Sequence, residues 1–374
     1  MKYLCFFDSQ LNRRTMKMAS VNKVRYICSA LNQNGIDVEI ISCSMTAPHS
    51  IPAQTERLNE HTSVKYFKTA KASKSKPAKL WQLLRRNLTI FFFLLFNTKK
   101  GETVACYHSF INMRCVSLAK KLRGFRLLLE AEEIYNDVFE RSPSSRRTEM
   151  KYLQKCADMY LFPTDVLARK INIDSKPQAI VYGAYEFDGG AAKRRVSDGK
   201  IRVAYTGSFD PNKGGLSNAL GAARFLDSRY SLNILGTDTS DRVETLKRYI
   251  SEHSGKDSCE IRYDGVKKGK DYTDWLRGCD IGLSTQNPEA SFNETSFPSK
   301  VISYLSCNLR VVAYPIQVLT ESELNEALFF YRENTPQAIA DAVKDIDFSL
   351  PYDGESLIAR LDASFQSQLK NLNF

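Results

Sequence analysis

Short apolar runs alternate with segments of helical periodicity along the chain. Residues 2–7 are apolar after the first position, and residues 20–34 carry Val21, Val24 and Leu31 on one helical face. Val38–Ser42 is again an apolar run of strand length. Strand, helix and strand with short joints are typical of a parallel sheet with helices on its faces. The first part of the chain therefore predicts an α/β domain.

The same alternation continues through the rest of the sequence. It predicts further strands at residues 104–107, 125–129, 158–162, 179–182, 201–205, 231–235, 259–263, 280–284 and 310–313. It predicts helices at residues 112–122, 146–156, 216–226, 241–251, 272–277, 298–307 and 335–344. Residues 184–200 lack periodicity and contain several glycines, which indicates a linker. We therefore expect a first domain at 1–183, a second domain at 201–354 and a helix at about 355–374.

Length and composition agree with two folded domains. The chain has 374 residues, and 43% of them are hydrophobic, which excludes a disordered protein. Its nine cysteines are scattered and form no Cys-x-x-Cys pair, so we expect reduced thiols and neither a disulfide framework nor a zinc site. The apolar run after Met1 ends at Asp8, which is short for a secretory signal. We expect a cytoplasmic protein.

Positive charge is concentrated in one segment of a chain whose net charge is +11. Between residues 61 and 101 there are ten basic residues and no acidic one, and residues 88–96 are almost wholly apolar. This apolar run is less than half of the roughly 20 residues that span a bilayer. We expect the segment from Lys65 to Phe96 to bind an anionic membrane surface, which would place the protein on the inner face of the cell membrane. The alternative is a buried helix preceded by a solvated loop; nucleic acid is disfavoured because no binding module is recognisable.

Ionisable side chains follow two of the predicted strands in the first half. His108 comes directly after residues 104–107, and Glu130, Glu132 and Glu133 come at the end of the next strand. Ligands of open α/β sheets bind beyond the carboxyl ends of the strands. These four residues are therefore our candidates for a catalytic base. The alternatives are a hydrogen-bonded structural histidine and a solvated turn of glutamates.

Residues 203–215 place a glycine-bearing turn between a strand and a helix. They read Val-Ala-Tyr-Thr-Gly-Ser-Phe-Asp-Pro-Asn-Lys-Gly-Gly. Gly207 permits close approach of a ligand to the backbone, and Lys213 precedes a helix N-terminus, where an anion is favoured. Gly236 and Asp264 end the next two strands on the same side of the predicted sheet, so we expect them to border the same ligand.

A second candidate anion site precedes the helix predicted at 298–307. Ser296 is a suitable N-cap, Pro298 suits the first turn, and Ser299 and Lys300 add a hydroxyl and a positive charge. A phosphate fits such a helix start. The alternative is an ordinary capped helix with a surface lysine. Two phosphate-type sites in one α/β segment favour a nucleotide diphosphate as ligand.

These two stretches resemble a known family. Thr-Gly-Ser-Phe-Asp-Pro-Asn-Lys-Gly-Gly together with Phe-Pro-Ser-Lys-Val-Ile-Ser-Tyr-Leu-Ser-Cys-Asn-Leu-Arg-Val-Val is similar to the donor-binding half of family 4-type glycosyltransferases. Tyr-His-Ser and Glu-Ala-Glu-Glu-Ile-Tyr resemble, more loosely, the acceptor half of bacterial capsule and exopolysaccharide enzymes. The resemblance implies the GT-B fold, in which two Rossmann-like domains face each other across a cleft and a C-terminal helix returns to the first domain.

The same resemblance implies a function. It implies transfer of a sugar from a nucleotide diphosphate-sugar to a surface polysaccharide or oligosaccharide acceptor, which we expect to be lipid-linked. No Asp-x-Asp pair lies in either stretch, so we expect no metal or other cofactor. The residues that would bind the donor are Gly207, Ser208, Lys213, Gly236, Asp264, Ser296, Phe297, Ser299, Lys300 and Ser303.

The sequence departs from the family at one informative position. Many relatives carry two glutamates eight positions apart, the second of which meets the nucleotide ribose; here these positions are about Thr295 and Ser303. This departure motivates two alternatives. One is an inactive GT-B partner of a glycan-assembly complex, and the other is a sugar-nucleotide epimerase of similar architecture.

Overall fold

The computed structural model describes residues 1–10, 12–13, 18–138, 142–185, 199–253 and 258–374. The chain forms two compact units: unit 1 is Met1–Ala184 with Ala363–Phe374, and unit 2 is Tyr185–Asp362. The linker that the sequence predicts at 184–200 falls largely on residues 186–198, outside the described residues.

Unit 1 is built on a sheet whose described strands are parallel except at one edge. Its strand order is β10-β9-β8-β7-β1-β2-β5-β4, and only β4 runs antiparallel to its neighbour β5. The central strands β1, β2, β7, β8 and β9 are mostly apolar, as expected where helices cover both faces of a parallel sheet. The strands of unit 1, including the short β3–β6 pair, are β1 (Lys2–Cys5), β2 (Val38–Ser42), β3 (Thr46–Ala47), β4 (Gln54–Arg57), β5 (Thr62–Tyr66), β6 (Ala70–Lys71), β7 (Thr103–Tyr107), β8 (Arg126–Glu130), β9 (Met159–Phe162) and β10 (Gln178–Ile180).

Helices connect these strands. Those of unit 1 are α1 (Met18–Gln33), α2 (Lys76–Asn97), α3 (Met113–Arg123), α4 (Tyr135–Val138), α5 (Pro143–Cys156) and α6 (Asp165–Ile171). The last helix of the chain, which we call α13 (Gly354–Asn371), contributes its C-terminal part to unit 1. Phe365 is fully buried and its ring lies 5.8 Å from that of Tyr26, and the Gln368 side chain accepts a 2.7 Å hydrogen bond from the Ile180 backbone N–H. The predicted return of a C-terminal helix to the first domain is confirmed.

Unit 2 contains a second sheet, in which all described strands are parallel. The strand order is β13-β12-β11-β14-β15-β16. Its strands are β11 (Ile201–Ser208), β12 (Tyr230–Thr237), β13 (Glu260–Tyr263), β14 (Ile281–Ser284), β15 (Arg310–Ala313) and β16 (Leu328–Phe330). Its helices are α7 (Gly215–Ala223), α8 (Ser240–His253), α9 (Gly269–Arg277), α10 (Lys300–Ser306), α11 (Gln317–Thr320) and α12 (Pro336–Lys344).

Helix α10 packs tightly on strand β14. The buried ring of Tyr304 lies against Gly282, where an added Cβ would come within 2.3 Å of the ring. Since no larger residue fits at position 282, this glycine fixes how closely the helix approaches the sheet. The packing sets the position of Lys300 at the start of α10.

Several predicted boundaries are wrong. Strand β1 ends at Cys5 and not at residue 7, because Phe7 is buried in the following loop, where its carbonyl accepts from the Ser42 hydroxyl at 2.6 Å. Ser296 is not the N-cap of α10. The Val301 N–H bonds to the Pro298 carbonyl in a tight turn, and the helix begins only at Lys300. The sequence pattern does not predict five of the strands, namely β3, β4, β5, β6 and β16.

The basic, apolar segment also differs from its predicted structure. Residues 88–96 form the second part of α2, which already begins at Lys76 within the basic run, and Ile90 and Leu94 on it are fully buried. The opposite face of α2 is exposed. In the part of the chain that the structure describes, no helix is both long enough and apolar enough to cross a membrane.

Candidate functional site

Two glycines form the carboxyl edge of strands β11 and β12. Gly207 and Gly236 are paired in register, with φ of +154° and +157°. An added Cβ at Gly236 would lie 1.9 Å from the Gly207 carbonyl oxygen, so only glycine fits there. Gly207 and the following Ser208 are exposed. This edge therefore presents backbone that a ligand can approach closely.

The turn that carries Lys213 is tied to the loop after β14. The Asn287 N–H donates to the Lys213 carbonyl at 2.8 Å, and the buried Thr285 hydroxyl donates to the Gly215 carbonyl at 2.9 Å. The Asn218 side chain donates to the Thr285 carbonyl at 2.9 Å. These bonds fix the backbone of residues 213–215 beside the segment that leads into α10.

Lys300 reaches the same edge from the start of α10. Its Nζ lies 4.8 Å from the centroid of the Tyr205 ring and 3.7 Å from where a Cβ on Gly207 would be. Burial of the ammonium group, followed by repulsion from Lys213, lowers the pKa of Lys300 to about 8. Among the described residues, no carboxylate forms an ion pair with Lys300. The structure thus brings the two lysines together at an edge made of backbone.

The other predicted donor-binding residues lie around this pair. Ser299 is exposed at the N-cap position of α10, and Ser296 and Phe297 are half-buried in the preceding loop. Asp264 is exposed after β13, and its carboxylate accepts a 2.7 Å hydrogen bond from the Trp275 indole N–H. No observation tests which of these residues touches a donor, so their role stays a prediction.

Ser303 belongs to a chain of hydroxyl groups. Its side chain hydrogen-bonds to the Tyr272 hydroxyl, which lies 3.3 Å from the Thr206 hydroxyl. The Tyr304 hydroxyl in turn accepts from the Thr206 N–H at 2.9 Å. Where the resembled family has a glutamate, this chain therefore has neutral hydroxyls that bond to one another.

The candidate base His108 is buried at the carboxyl edge of the unit 1 sheet. Its Nε2 lies 2.7 Å from the Glu149 carboxylate, and both side chains are at most 1% exposed. Glu149 also accepts from the backbone N–H groups of Tyr135 and Asn136, each at 2.9 Å, and from the Asn136 side chain. Burial raises the pKa of Glu149, but the hydrogen bonds from His108 and Asn136 outweigh burial and hold it below its usual value. Glu149 therefore connects His108 to the start of α4.

The three candidate glutamates differ in their surroundings. Glu130 is buried and accepts a hydrogen bond from the Tyr3 hydroxyl. Burial and the nearby Glu132 carboxylate raise the pKa of Glu130 to about 8. Glu132 is half-buried and pairs with Lys23 at 2.6 Å, and Glu133 is half-buried beside it. Glu130 is therefore an uncharged carboxylic acid at neutral pH.

Several of these partners cannot be recognised from the sequence. Glu149 lies in the middle of α5 in a polar stretch, and Lys23 lies on α1, so neither is near its partner in the chain. In the sequence, nothing distinguishes Tyr3 and Tyr272 from other aromatic residues of a hydrophobic core. Among the described residues, no group of three or more His, Cys, Asp or Glu side chains is placed to hold a metal ion. Metal independence stays a prediction.

Comparison with solved structures places the whole chain in one architecture. An apo structure of OtsA matches with a TM-score of 0.68 and 12% identity, covering 100% of this chain and 99% of that chain. Anabaena Alr3699/HepE in complex with UDP and glucose matches with a TM-score of 0.62 and 12% identity, covering 99% and 98%. A structure described as trehalose-6-phosphate from E. coli, bound with UDP-2-fluoro glucose, matches with a TM-score of 0.66 and 12% identity, covering 99% and 96%.

Comparison of the sequence with known families and proteins finds no match that would add to the structural likeness. No protein-family model and no curated protein matches the chain. At 12% identity the structural likeness shows the fold alone. The predicted α/β architecture is confirmed: the chain has the GT-B fold of these glycosyltransferases.

Proposed function

We propose that the protein is a glycosyltransferase that uses a nucleotide diphosphate-sugar as donor. One observation carries this proposal: Lys300 reaches the Gly207 edge, and the turn of Lys213, from a distant stretch, is hydrogen-bonded to the loop after β14 that leads towards α10. Burial of the Lys300 ammonium group without a carboxylate partner among the described residues is costly unless an anion binds it. The solved GT-B structures that contain UDP or a UDP-sugar support a nucleotide as that anion.

The chemistry follows from the charge of the leaving group. As the glycosidic bond to the donor sugar breaks, negative charge grows on the departing diphosphate. Fixed cations stabilise this charge without reorganisation during the reaction. In this proposal Lys213 and Lys300 bind the diphosphate, and the backbone at Gly207 and Gly236 lets it approach. We propose that no metal takes part.

The test is donor turnover by matched variants. Donor hydrolysis or transfer is measured for the wild type, for the double variant Lys213→Ala, Lys300→Ala and for Lys247→Ala, whose exposed lysine on α8 pairs with Glu244. The proposal expects the double variant to lose more than tenfold in rate, since each charge-assisted hydrogen bond contributes about 1.5–3 kcal/mol. Turnover that persists in the double variant at the level of the control contradicts it.

The acceptor we propose is a surface polysaccharide or oligosaccharide linked to a lipid. His108, Glu132 and Glu133 remain our candidates for the base that an inverting transfer needs, whereas the raised pKa of Glu130, about 8, disfavours that residue as a base at neutral pH. An inactive GT-B partner protein would bind nucleotide without turnover. A sugar-nucleotide epimerase would convert the donor sugar without an acceptor. The turnover assay distinguishes both from transfer when its products are identified.

We also propose that unit 1 binds the cytoplasmic face of an anionic membrane. Six large apolar side chains are exposed on α2, from 44% for Leu88 to 75% for Phe96, and Leu118 and Leu122 are exposed on the adjacent α3. The six are Leu80, Trp81, Leu84, Leu88, Phe92 and Phe96. Exposed basic side chains precede and begin the helix, namely Lys68, Lys71, Lys74, Lys76 and Lys79. Apolar side chains next to lysines match the interface of an anionic bilayer, where each lysine contributes about 1 kcal/mol.

Vesicle flotation tests this second proposal. The wild type is expected to float with vesicles that contain anionic lipid and to stay behind with neutral ones. The variant Trp81→Ser, Phe96→Ser is expected to lose most of this binding, whereas Leu350→Ser, which removes an equally exposed leucine from unit 2, keeps it. Equal flotation of all three proteins contradicts a membrane face on α2.

A further inference from the structure

A buried arginine lies at the carboxyl edge of the unit 1 sheet. Arg13 is 5% exposed, and its guanidinium carbon lies 4.1 Å from the centroid of the Tyr66 ring. Its Nη1 is 3.5 Å from Asp8, at the outer limit of a hydrogen bond. Among the described residues, neither Nε nor Nη2 has a hydrogen-bond partner. Buried donors without acceptors are rare in folded proteins, so this pair needs an explanation.

The two unpaired nitrogens are on the same side of the guanidinium group. Nε–H and one Nη2–H point in parallel, and this edge matches the two oxygens of a carboxylate or a phosphate. Asp8 does not occupy this edge. One of its carboxylate oxygens accepts from the Arg13 backbone N–H at 2.6 Å and the other from the Gln10 N–H at 3.2 Å. Asp8 thus shapes the loop and leaves the Nε and Nη2 edge without an acceptor among the described residues.

The plane of the guanidinium is fixed by the ring beneath it. The Tyr66 hydroxyl accepts from the Ser9 N–H at 3.1 Å and donates to the Glu56 carboxylate, also at 3.1 Å. Because Tyr66 is held at both its backbone and its hydroxyl, Arg13 stacks on a rigid surface. A rigid donor pair loses little freedom when an oxyanion binds.

A second unpaired group lies at the same sheet edge. Ser44 follows β2, which lies between β1 and β5, and its hydroxyl is buried without a partner among the described residues. Asp8 and Arg13 follow β1, and Tyr66 ends β5. Ligands of open α/β sheets bind at this edge.

We propose that the Nε and Nη2 edge of Arg13 binds an oxyanion, a phosphate or a carboxylate, carried by the acceptor. That an oxyanion binds follows from the unpaired donors alone, whereas its assignment to the acceptor rests on the proposed transferase function. The two sources differ in chemistry. A phosphate would belong to a phospholipid-linked acceptor, and a carboxylate would belong to an acidic sugar.

The test measures thermal stabilisation by the anions themselves. Inorganic phosphate and glucuronate are titrated into the variant Lys213→Ala, Lys300→Ala, in which the donor-site lysines no longer bind anions. At least one anion is expected to raise the Tm in a saturable manner. Adding Arg13→Met is expected to weaken this binding about tenfold or more, because a bidentate, charge-assisted pair is lost. Adding Arg13→Lys should weaken it nearly as much, since lysine keeps the charge but lacks the planar pair of donors.

Arg25→Met is the matched control, because Arg25 is an exposed arginine of the same unit. Stabilisation by phosphate alone supports a phosphate-bearing acceptor, and stabilisation by glucuronate alone supports an acidic sugar. Equal stabilisation of the Arg13→Met and Arg25→Met proteins overturns the proposal, as does no stabilisation by either anion. Nucleotide binding does not enter this readout, so the donor site and the Arg13 site succeed or fail separately.

A crystallographic measurement avoids variants. Wild-type crystals soaked in tungstate, which mimics phosphate and scatters anomalously, are expected to show a peak within hydrogen-bond distance of the Arg13 guanidinium. Peaks at the two donor-site lysines alone contradict the Arg13 site.

Discussion

Two charged side chains at the carboxyl edges of the two sheets, Lys300 in unit 2 and Glu149 in unit 1, differ in the partners that the chain provides. In unit 2, Lys213 and Lys300 lie near each other and Lys300 pairs with no carboxylate in the described part of the chain. In unit 1, Glu149 accepts hydrogen bonds from His108 Nε2, from two backbone N–H groups and from the Asn136 side chain. In the first, the proposed partner of Lys300 is a bound anion. In the second, the Glu149 carboxylate finds all of these donors within unit 1, although His108 Nδ1 and Asn136 Oδ1 are buried without a partner among the described residues.

This difference distinguishes residues that bind a ligand from residues that stabilise the fold. A buried charge whose partners are all in the chain stabilises the fold, and its removal leaves those partners unpaired. A charge without partners costs stability and is retained where a ligand compensates it. We therefore expect substitutions of Glu149 to act mainly on stability and substitutions of the unit 2 lysines mainly on ligand binding.

The largest effect is expected from Glu149→Ala. It leaves His108 and the start of α4 without their acceptor, and breaking such a buried network costs about 3–5 kcal/mol. Denaturant unfolding measures the loss, with Glu244→Ala on the surface of α8 as control. Because the folded pKa of Glu149 lies below its unfolded value, its contribution is present above the unfolded pKa of about 4.3 and is lost as the pH falls through the folded pKa. A loss under about 1 kcal/mol contradicts a supporting role.

Lys300→Met is expected to act in two opposite directions. Donor turnover should fall more than tenfold, while the ligand-free protein should gain about 1–3 kcal/mol, because a buried charge is replaced by an apolar chain of similar length. Since the folded pKa of Lys300 is about 8 and the unfolded value about 10.4, wild-type stability should rise with pH between these values. Lys247→Met should show neither change. Loss of stability in Lys300→Met without loss of turnover contradicts a ligand-binding role for Lys300.

Much of unit 2 is predictable from sequence because its signals are local. Most strands there contain one short apolar run, and the motifs around Gly207 and Lys300 include the residues that the structure places at the carboxyl edge of the sheet. The sequence pattern does not predict strand β5, because its Lys65 belongs to the basic segment. In the structure the residues of β5 alternate between buried and half-buried. The sequence does not distinguish the exposed face of α2 from the buried one, since apolar residues occupy both faces.

The unit 1 network was not predictable for a physical reason. Glu149, His108 and Asn136 come from three separate segments, and no spacing along the chain relates them. The raised pKa of Glu130 has the same origin, because it depends on burial and on the distance to Glu132 in the folded protein. The start of α10 at Lys300 depends on the turn from Pro298 to Val301, which the N-cap preference of Ser296 does not reveal.

Glu130→Gln tests whether the buried carboxyl group of Glu130 in unit 1 is uncharged at neutral pH. Since the pKa of Glu130 is about 8, the acid is uncharged at pH 7, and glutamine should change stability there by less than about 1 kcal/mol. The folded pKa is raised, so the wild type should lose stability as the pH rises from the unfolded pKa of about 4.3 to about 8. The variant should therefore become the more stable protein at pH 9, by roughly 1–3 kcal/mol. A parallel pH dependence of both proteins contradicts the uncharged acid.

The smallest effect is expected from Tyr304→Phe. The change removes the acceptor of the buried Thr206 N–H and should cost about 1–2 kcal/mol in the unfolding free energy. Tyr314→Phe is the control, because no hydrogen bond to its hydroxyl is present among the described residues. Equal stability of the two variants shows that the hydroxyl chain of unit 2 does not support the fold.

The most direct measurement concerns the diphosphate itself. Calorimetry compares a nucleoside diphosphate, beginning with UDP, with its own nucleoside in the wild type and in Lys213→Ala, Lys300→Ala. The account predicts that the wild type binds the diphosphate at least about a hundredfold more tightly than the nucleoside, as two charge-assisted bonds imply, and that the double variant loses most of this difference. A difference that is equal in both proteins contradicts the account, because the two lysines then do not hold a diphosphate.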